Sequence, residues 1–407
     1  MRLLRHGLLT GPILGALWSL VVATTVAVAM SLFTGDAFRP TLWGGLLAGV
    51  ALGLSCLRFG GRQRLVVPLA VALGLLALSA VAGIGALEIG DGSAPLAAWT
   101  GRVATLGFTG LGLWLILEEL RPGTITRHEF EEAVIRFLTG FGYIFFTAIV
   151  LIPFYVMVMT SLKNQSELMA NPLDFTIDLS QGIELFRSYA ELMTEYSFGR
   201  YLWTSFYVSV LTVLITLAFA IPGAYAVARL RFRGQALFSR SILLIYMVPM
   251  IVLALPIYIA FSMTGLRNTI FGIVLIYPVT TIPVALYMLQ GYFRGLPAEI
   301  EEAGLMDGLS RLKVIWQITL PLSLPALASV SLYVFMIAWN EFLLAFMLLD
   351  DPSKYTLTRG IASLNSSEVP RQHLMAGSVI ATVPIMVLFL GLERFMTKGL
   401  TAGSVKG

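Results

Sequence analysis

Long apolar runs alternate with short polar segments along the whole chain. Runs of about 20 apolar residues suit helices that cross a bilayer, whereas the strands of a membrane barrel would alternate over about 10 residues. Ten runs of this kind are read, at roughly 8–33, 42–57, 65–87, 96–117, 137–160, 202–228, 240–263, 269–290, 322–349 and 374–396, the second of them short. The pattern predicts an all-α polytopic membrane protein. Prolines at 222, 256, 278 and 283 fall inside runs and are expected to interrupt helices, either around a cavity or as plain kinks.

Two polar stretches divide the runs. The first, 118–136, reads EELRPGTITRHEFEEAVIR; it carries a Pro-Gly turn and predicts a short helix over Glu129–Arg136. It separates an accessory bundle of four spans at 1–117, rich in Gly, Ala and Leu, from the six spans of 137–407. Small residues let such helices pack closely, and few polar groups lie at membrane depth there. The bundle reads as an aid to insertion or assembly; the sharper alternative is a regulatory or lipid-facing module.

The second polar stretch, 295–321, reads GLPAEIEEAGLMDGLSRLKVIWQITLP. Pro297 suits a first helical position, and Glu299, Glu301 and Glu302 crowd a first turn, where their charge complements the helix dipole. Ile300, Ala303, Gly304 and Asp307 fall on one face at helical spacing. Gly308 suits a left-handed helix end. Ser310 suits the cap of a second helix, with Leu309 and Val314 as a hydrophobic staple, and Leu320-Pro321 is expected to stop it. The product is a helix–Gly–helix knob, too polar for lipid, held by a span on each side.

Composition agrees: of 407 residues, 57% are hydrophobic and 12% charged, against roughly 25% charged in soluble domains. A net charge of +4 would suit nucleic acid, but topology explains the basic residues better. With the N-terminus inside, 18 of the 27 Lys and Arg fall in inside segments, as the positive-inside rule requires. Both termini and the loop at 295–321 are therefore expected in the cytoplasm, and nucleic acid is not expected as a partner. Arg2 and Arg5 ahead of an apolar run, with Ala27-Val28-Ala29 after it, resemble a signal peptide, yet the run exceeds the usual 7–15 residues and reads as an uncleaved span.

Candidate chemistry is sparse. Cys56 is the single cysteine, so no internal disulfide forms, and His6, His128 and His373 are not at metal-ligand spacing. No metal and no catalytic residue is read. None of the lysines at 163, 313, 354, 398 and 406 follows a glycine, so the Gly-Lys-Ser/Thr ending of a phosphate-cradling loop is missing. Asn340 and Glu341 are the main polar pair within an expected span. A central carboxylate costs roughly 2.5–3.5 kcal/mol on the insertion scale, so such residues face a cavity or a partner. Either a pore or gate contact or interhelical packing satisfies that requirement.

Within 295–321, Glu302-Ala303-Gly304, then Asp307-Gly308, then Ile318-Thr319-Leu320-Pro321 resemble the cytoplasmic coupling loop of binding-protein-dependent ABC importers. Gly304 stands where Ala is usual, and Ile315 where Phe is common. Residues 137–407 as a whole resemble the six-span permease subunit of carbohydrate ABC importers of the maltose/maltodextrin and glycerol-phosphate type. The resemblance rests on Thr160–Lys163, Ala224–Arg229 with Arg231–Gly234, Val248-Pro249, Pro256–Tyr258, Ala338–Phe342 and the tail Gly399–Gly407; Trp203-Thr204-Ser205 departs where an Asn often precedes the Ser. The resemblance implies an ABC-permease core that is no enzyme and binds no cofactor. ATP would be hydrolysed by a partner ATPase dimer, docked on Glu302, Ala303, Gly304, Asp307 and Gly308. It further implies a second homologous permease subunit, an extracytoplasmic sugar-binding protein meeting outer loops such as 161–201, a lipid environment in a bacterial inner membrane, and a C-terminal tail (Lys398, Gly403, Lys406) reaching the ATPase. Two other readings remain, an ion-coupled secondary transporter and a membrane receptor or scaffold that docks a cytoplasmic protein.

Overall fold

The computed structural model describes residues 5–57, 63–90, 93–172, 174–366 and 369–401. It is helical almost throughout, and the chain forms two compact units, Met1–Gly182 and Ile183–Gly407.

Unit 1 holds α1 (Gly7–Thr34), α2 (Leu42–Ser55), α3 (Gln63–Val81), α4 (Pro95–Ile116), α5 (Arg127–Ser161) and the short α6 (Gln165–Ala170). Strands β1 (Phe38–Pro40) and β2 (Leu87–Ile89), which the hydropathy pattern did not announce, pair antiparallel and tie two loops together. Close packing through small residues is borne out where α1 crosses α2. A methyl group on Gly15 would sit 2.2 Å from the Gly49 carbonyl oxygen, and one on Gly49 2.2 Å from that of Gly15. Only glycine permits backbones so close. The short helix expected over Glu129–Arg136 proves to be the start of the 35-residue α5, opened by a capping box between Thr126 and Glu129. Arg136 pairs with Glu118, Glu119 and Glu132, fixing the polar segment against α5.

Unit 2 holds α7 (Arg187–Thr194), α8 (Phe198–Arg229), α9 (Gln235–Tyr246), α10 (Met250–Met263), α11 (Ile270–Gly295), α12 (Ala298–Met306), α13 (Arg311–Val314), a π turn (Ile315–Thr319), α14 (Leu320–Leu322), α15 (Leu324–Asn340), α16 (Leu343–Leu348), α17 (Leu357–Ser363) and α18 (Arg371–Thr401). Helix α8 packs along α11 and α15. A buried hydrogen bond of 2.6 Å between the Thr216 and Thr281 hydroxyls joins α8 to α11. One core gathers Phe198, Tyr277, Trp339 and Leu344; a second gathers Ala224, Tyr225, Leu289, Phe293 and Val330 beside the polar loop.

Among the described residues, five helices are long and apolar enough to cross a membrane: Gly7–Thr34, Arg127–Ser161, Phe198–Arg229, Ile270–Gly295 and Arg371–Gly391. A sixth span results if Arg311–Leu322 and Leu324–Asn340, bent by 78°, are joined. The count of ten is thus not reached by helix length and composition. The expected span at 240–263 is broken between α9 and α10 at Met247–Pro249, and that at 322–349 stops at Asn340. Pro222, Pro256, Pro278 and Pro283, by contrast, break nothing: each lies inside a continuous helix.

Candidate functional site

The polar loop folds as the helix–Gly–helix knob its sequence suggests. Pro297 is the cap rather than the first helical residue, with ψ 125°, and α12 begins at Ala298. Glu299 and Glu301 occupy the first turn; Glu302 falls just beyond it. At the other end Gly308 takes φ +83°, the left-handed region that glycine enters freely. Its N–H donates to the Leu305 carbonyl at 3.1 Å, and that of Leu309 donates to Gly304 at 3.1 Å, the paired bonds of a Schellman end. The Ser310 hydroxyl then caps α13, accepting from the Lys313 N–H. Leu309 and Val314 both lie within 4 Å of where a methyl group on Gly304 would be, so both side chains pack toward α12. The chain does not stop at Leu320-Pro321. It passes through the π turn and α14 and bends at Ser323, whose hydroxyl bonds the Thr319 carbonyl at 2.6 Å.

The four residues that share a face by spacing are not all on the same side of the burial boundary. The buried residues of α12 are Glu301 and Gly304, while Ile300, Ala303 and Asp307 are exposed with Glu302. Gly304 is small because α12 lies against the return segment: a methyl group there would meet Ile318 Cδ1 at 2.5 Å. Met306 is 87% exposed, and Leu312 and Trp316 are each 70% exposed, so the knob turns a set of apolar side chains outward. Glu302 makes no ion pair among the described residues, and Asp307 ends α12 with its side chain in the open.

The acid that does find a cation is Glu301, which sequence reasoning passed over. It is 6% exposed. Its Oε2 accepts from the Tyr225 hydroxyl at 3.1 Å and its Oε1 from Thr319 at 3.0 Å, with Arg229 Nε at 3.4 Å in an ion pair. Arg229 also donates to the Leu296 carbonyl at 2.7 Å. A partial signal was present, since Tyr225 and Arg229 share a face at i, i+4, but it does not choose among the three acids.

The second polar spot is the break at Asn340–Glu341. Asn340 ends α15, is exposed, and donates to the Met336 carbonyl at 2.9 Å. Glu341 opens α16: its carboxylate accepts from the N–H groups of Leu344 at 2.8 Å and Ala345 at 3.1 Å. Its own carbonyl accepts from Thr358 at 2.6 Å, tying in α17. The two residues are neighbours in sequence but serve separate ends of a broken span. Ser205, in the segment lacking the usual Asn, accepts from the Leu357 N–H at 2.7 Å. Of the expected tail contacts, Lys398 falls within α18, and Gly403 and Lys406 lie outside the described residues.

Residues 218–401 match the family described as "Binding-protein-dependent transport system inner membrane component". The inner membrane ABC transporter permease protein YcjP of Escherichia coli (strain K12) is 36% identical over 272 residues, 65% of this chain and 95% of that protein. The trehalose/maltose transport system permease protein MalG of Thermococcus litoralis is 34% identical over 281 residues, 68% of this chain and 99% of its own length. The arabinooligosaccharides transport system permease protein AraQ of Halalkalibacterium halodurans is 30% identical over 284 residues, 67% and 98%. In fold, a chain from a bacterial ABC transporter that imports the acidic polysaccharide alginate matches with a TM-score of 0.56 at 22% identity, covering 66% of this chain and 98% of its own.

Proposed function

Since the chain belongs to the family of binding-protein-dependent transport system inner membrane components, we propose that it is the permease subunit of an ABC importer for maltose, trehalose or related oligosaccharides. It lines part of the translocation path and is driven by ATP hydrolysed on a partner chain. It sits as a multi-pass protein in the inner membrane, with both termini and the loop at 295–321 in the cytoplasm. Its partners are an ATPase dimer, a second homologous permease subunit and an extracytoplasmic sugar-binding protein. Asn340 and Glu341 belong to the translocation path or its gate, and the tail with Lys398, Gly403 and Lys406 reaches toward the ATPase.

The observation that carries this reading is α12. It is a nine-residue helix outside the apolar spans, fixed inward by Glu301 and Gly304 and turning Ile300, Ala303 and Met306 outward. Exposed apolar side chains on a rigid element mark a docking surface, and here that element is held directly between two membrane-spanning helices. Glu302, Ala303, Asp307 and Gly308 then face the ATPase, and Gly304 sets the helix close on its support. The test is purification of the tagged chain in mild detergent from its native membrane, with mass spectrometry of what accompanies it. An ABC ATPase and a second permease are expected, and loss of oligosaccharide uptake on deletion. A chain that comes out alone, without ATPase, would overturn the reading in favour of self-contained transport.

A further inference from the structure

We propose that Glu301 is a positioning residue that makes α12 and the C-terminal end of α8 move as one body. The inference rests on the reading of α12 as the ATPase contact. Of the nine residues of α12, only Glu301 and Gly304 are buried. What α12 passes to the membrane helices goes mainly through its two chain ends, the packing of Gly304 on Ile318, and the Glu301 carboxylate.

The chain ends alone make poor levers. Leu296 and Pro297 are extended, with ψ of 142° and 125°, and Gly308 is a glycine, so a small helix strung between them would pivot. Glu301 removes that freedom. Its oxygens hold Tyr225 on α8 at 3.1 Å and Thr319 in the π turn at 3.0 Å, with Arg229 of α8 at 3.4 Å. Arg229 closes the ring, because it also holds the Leu296 carbonyl, where the chain leaves α11 for α12. One carboxylate and one guanidinium thus connect the end of α11, the end of α8, α12 and the return segment. Tyr225 is 3% exposed and Thr319 fully buried, so water does not compete for these bonds. In that setting a charge-assisted bond is strong and directional. Thr319 also closes the π turn, an irregular turn of a kind frequent at functional sites, and it stands four residues before Ser323, at the 78° bend into α15. A push on α12 reaches α8 through Tyr225 and Arg229, and α15 through Thr319.

The decisive measurement reads motion rather than stability. Spin labels are placed at Glu299→Cys on α12 and Arg231→Cys just beyond α8, both exposed, in a chain whose single cysteine is removed by Cys56→Ser. Distances are recorded by pulsed electron paramagnetic resonance in the complex purified with its ATPase, without nucleotide and after trapping with ATP and vanadate. With Glu301 intact the distance is expected to stay constant within about 2 Å, the scale of small helix shifts in switching proteins. With Glu301→Gln it is expected to move or broaden on trapping, while the ATPase still co-purifies. ATP hydrolysis should then lose about tenfold of its stimulation by the binding protein, the scale of one charge-assisted bond. A distance that shifts by more than about 2 Å with Glu301 intact, or a Glu301→Gln chain that behaves as the parent, overturns the proposal. Should Glu301→Gln fail to accumulate, Tyr225→Phe and Thr319→Val, each removing one bond, decide by the same distances: broadening supports the joint and constancy sinks it. If no ATPase accompanies the parent chain, the functional reading falls first and the joint with it, an outcome distinct from a bound ATPase with an unaltered Glu301→Gln.

Discussion

Glu301, in the first turn of α12, and Glu341, at the break after α15, are two carboxylates of unit 2 used in opposite ways. Glu301 spends its oxygens on side chains 76 and 18 residues away, Tyr225 and Thr319. Glu341 spends its oxygens chiefly on backbone amides three and four residues ahead, with the Tyr277 hydroxyl of α11 as a lesser, distant partner. The first is a tertiary tie that joins separate helices; the second is a local cap that starts α16 where α15 has stopped. An acid in a membrane protein is thus not a functional signal by itself, and the sequence separation of its partners tells which work it does.

The largest expected effect lies on the tertiary side of this comparison. Arg229→Ala would leave the buried Glu301 carboxylate without its cation. Removing one partner of a buried pair destabilises by about 3–5 kcal/mol, and Arg229 and Glu301 are only 12% and 8% exposed at their side chains. A lowered thermal midpoint in detergent would show it. Adding Glu301→Ala should cost less than the two single losses combined, since the pair is coupled. Additive losses would erase the distinction between the two acids.

Next comes Gly308, which closes α12 at the end away from Arg229. Proline fixes φ near −65° and has no N–H, whereas Gly308 needs φ +83° and donates to Leu305 at 3.1 Å. Gly308→Pro is expected to abolish sugar uptake and binding-protein stimulation of the ATPase. Gly308→Ala should be milder, about 1–2 kcal/mol for the left-handed conformation. Normal uptake and stimulation in the proline variant would show that α12 need not be rigid.

On the local side, Glu341→Ala removes a cap and is expected to cost about 1 kcal/mol, read as faster amide exchange confined to Leu343–Leu348. Glu341→Asp should restore protection. If Glu341→Asp restores the cap but uptake stays low, the carboxylate acts on the sugar path as well, and the comparison sharpens into one acid with two tasks.

Much of the knob was legible because its signals are local. Gly308 and Ser310 each act within a few residues, and each appears where its type and spacing predicted. Long apolar runs likewise announced a polytopic helical protein, while their ends and breaks were less readable. Prolines 222, 256, 278 and 283 sit in continuous helices, whereas α15 breaks at Glu341 without one. The choice of Glu301 over Glu302 was out of reach of periodicity alone. With three acids within four residues, the inward one is set by where Arg229 and Tyr225 arrive from another helix, and no local pattern records that arrival. The pairing of β1 with β2, across nearly fifty residues, was hidden for the same reason.

The smallest expected effect tests a third acid, intermediate between the other two. Glu191, on α7, bonds Arg187 one turn earlier at 2.7 Å and also His373, distant in sequence, at 2.7 Å. Arg187 above all holds its carboxyl below the ordinary range; burial opposes this, and His373 adds a smaller lowering. A lowered folded value means that the contribution to stability is complete above the unfolded value of about 4.3 and is lost as pH falls through the folded value. Amide exchange of Arg187–Thr194, corrected for its intrinsic pH dependence, should therefore show steady protection from neutral pH down to about 4.3 and loosening only below it. Arg187→Ala should move that loosening to higher pH, because the largest lowering influence is gone. The change in stability should be the smallest of the set, since Arg187 is 70% exposed and such pairs are screened. His373, 4% exposed, then holds α7 against α18 through its hydrogen bond to Glu191 and its ring contact with Tyr196. If Arg187→Ala leaves the pH of loosening unchanged, the His373 contact alone fixes α7, and Glu191 joins Glu301 as a tertiary tie rather than standing between it and Glu341.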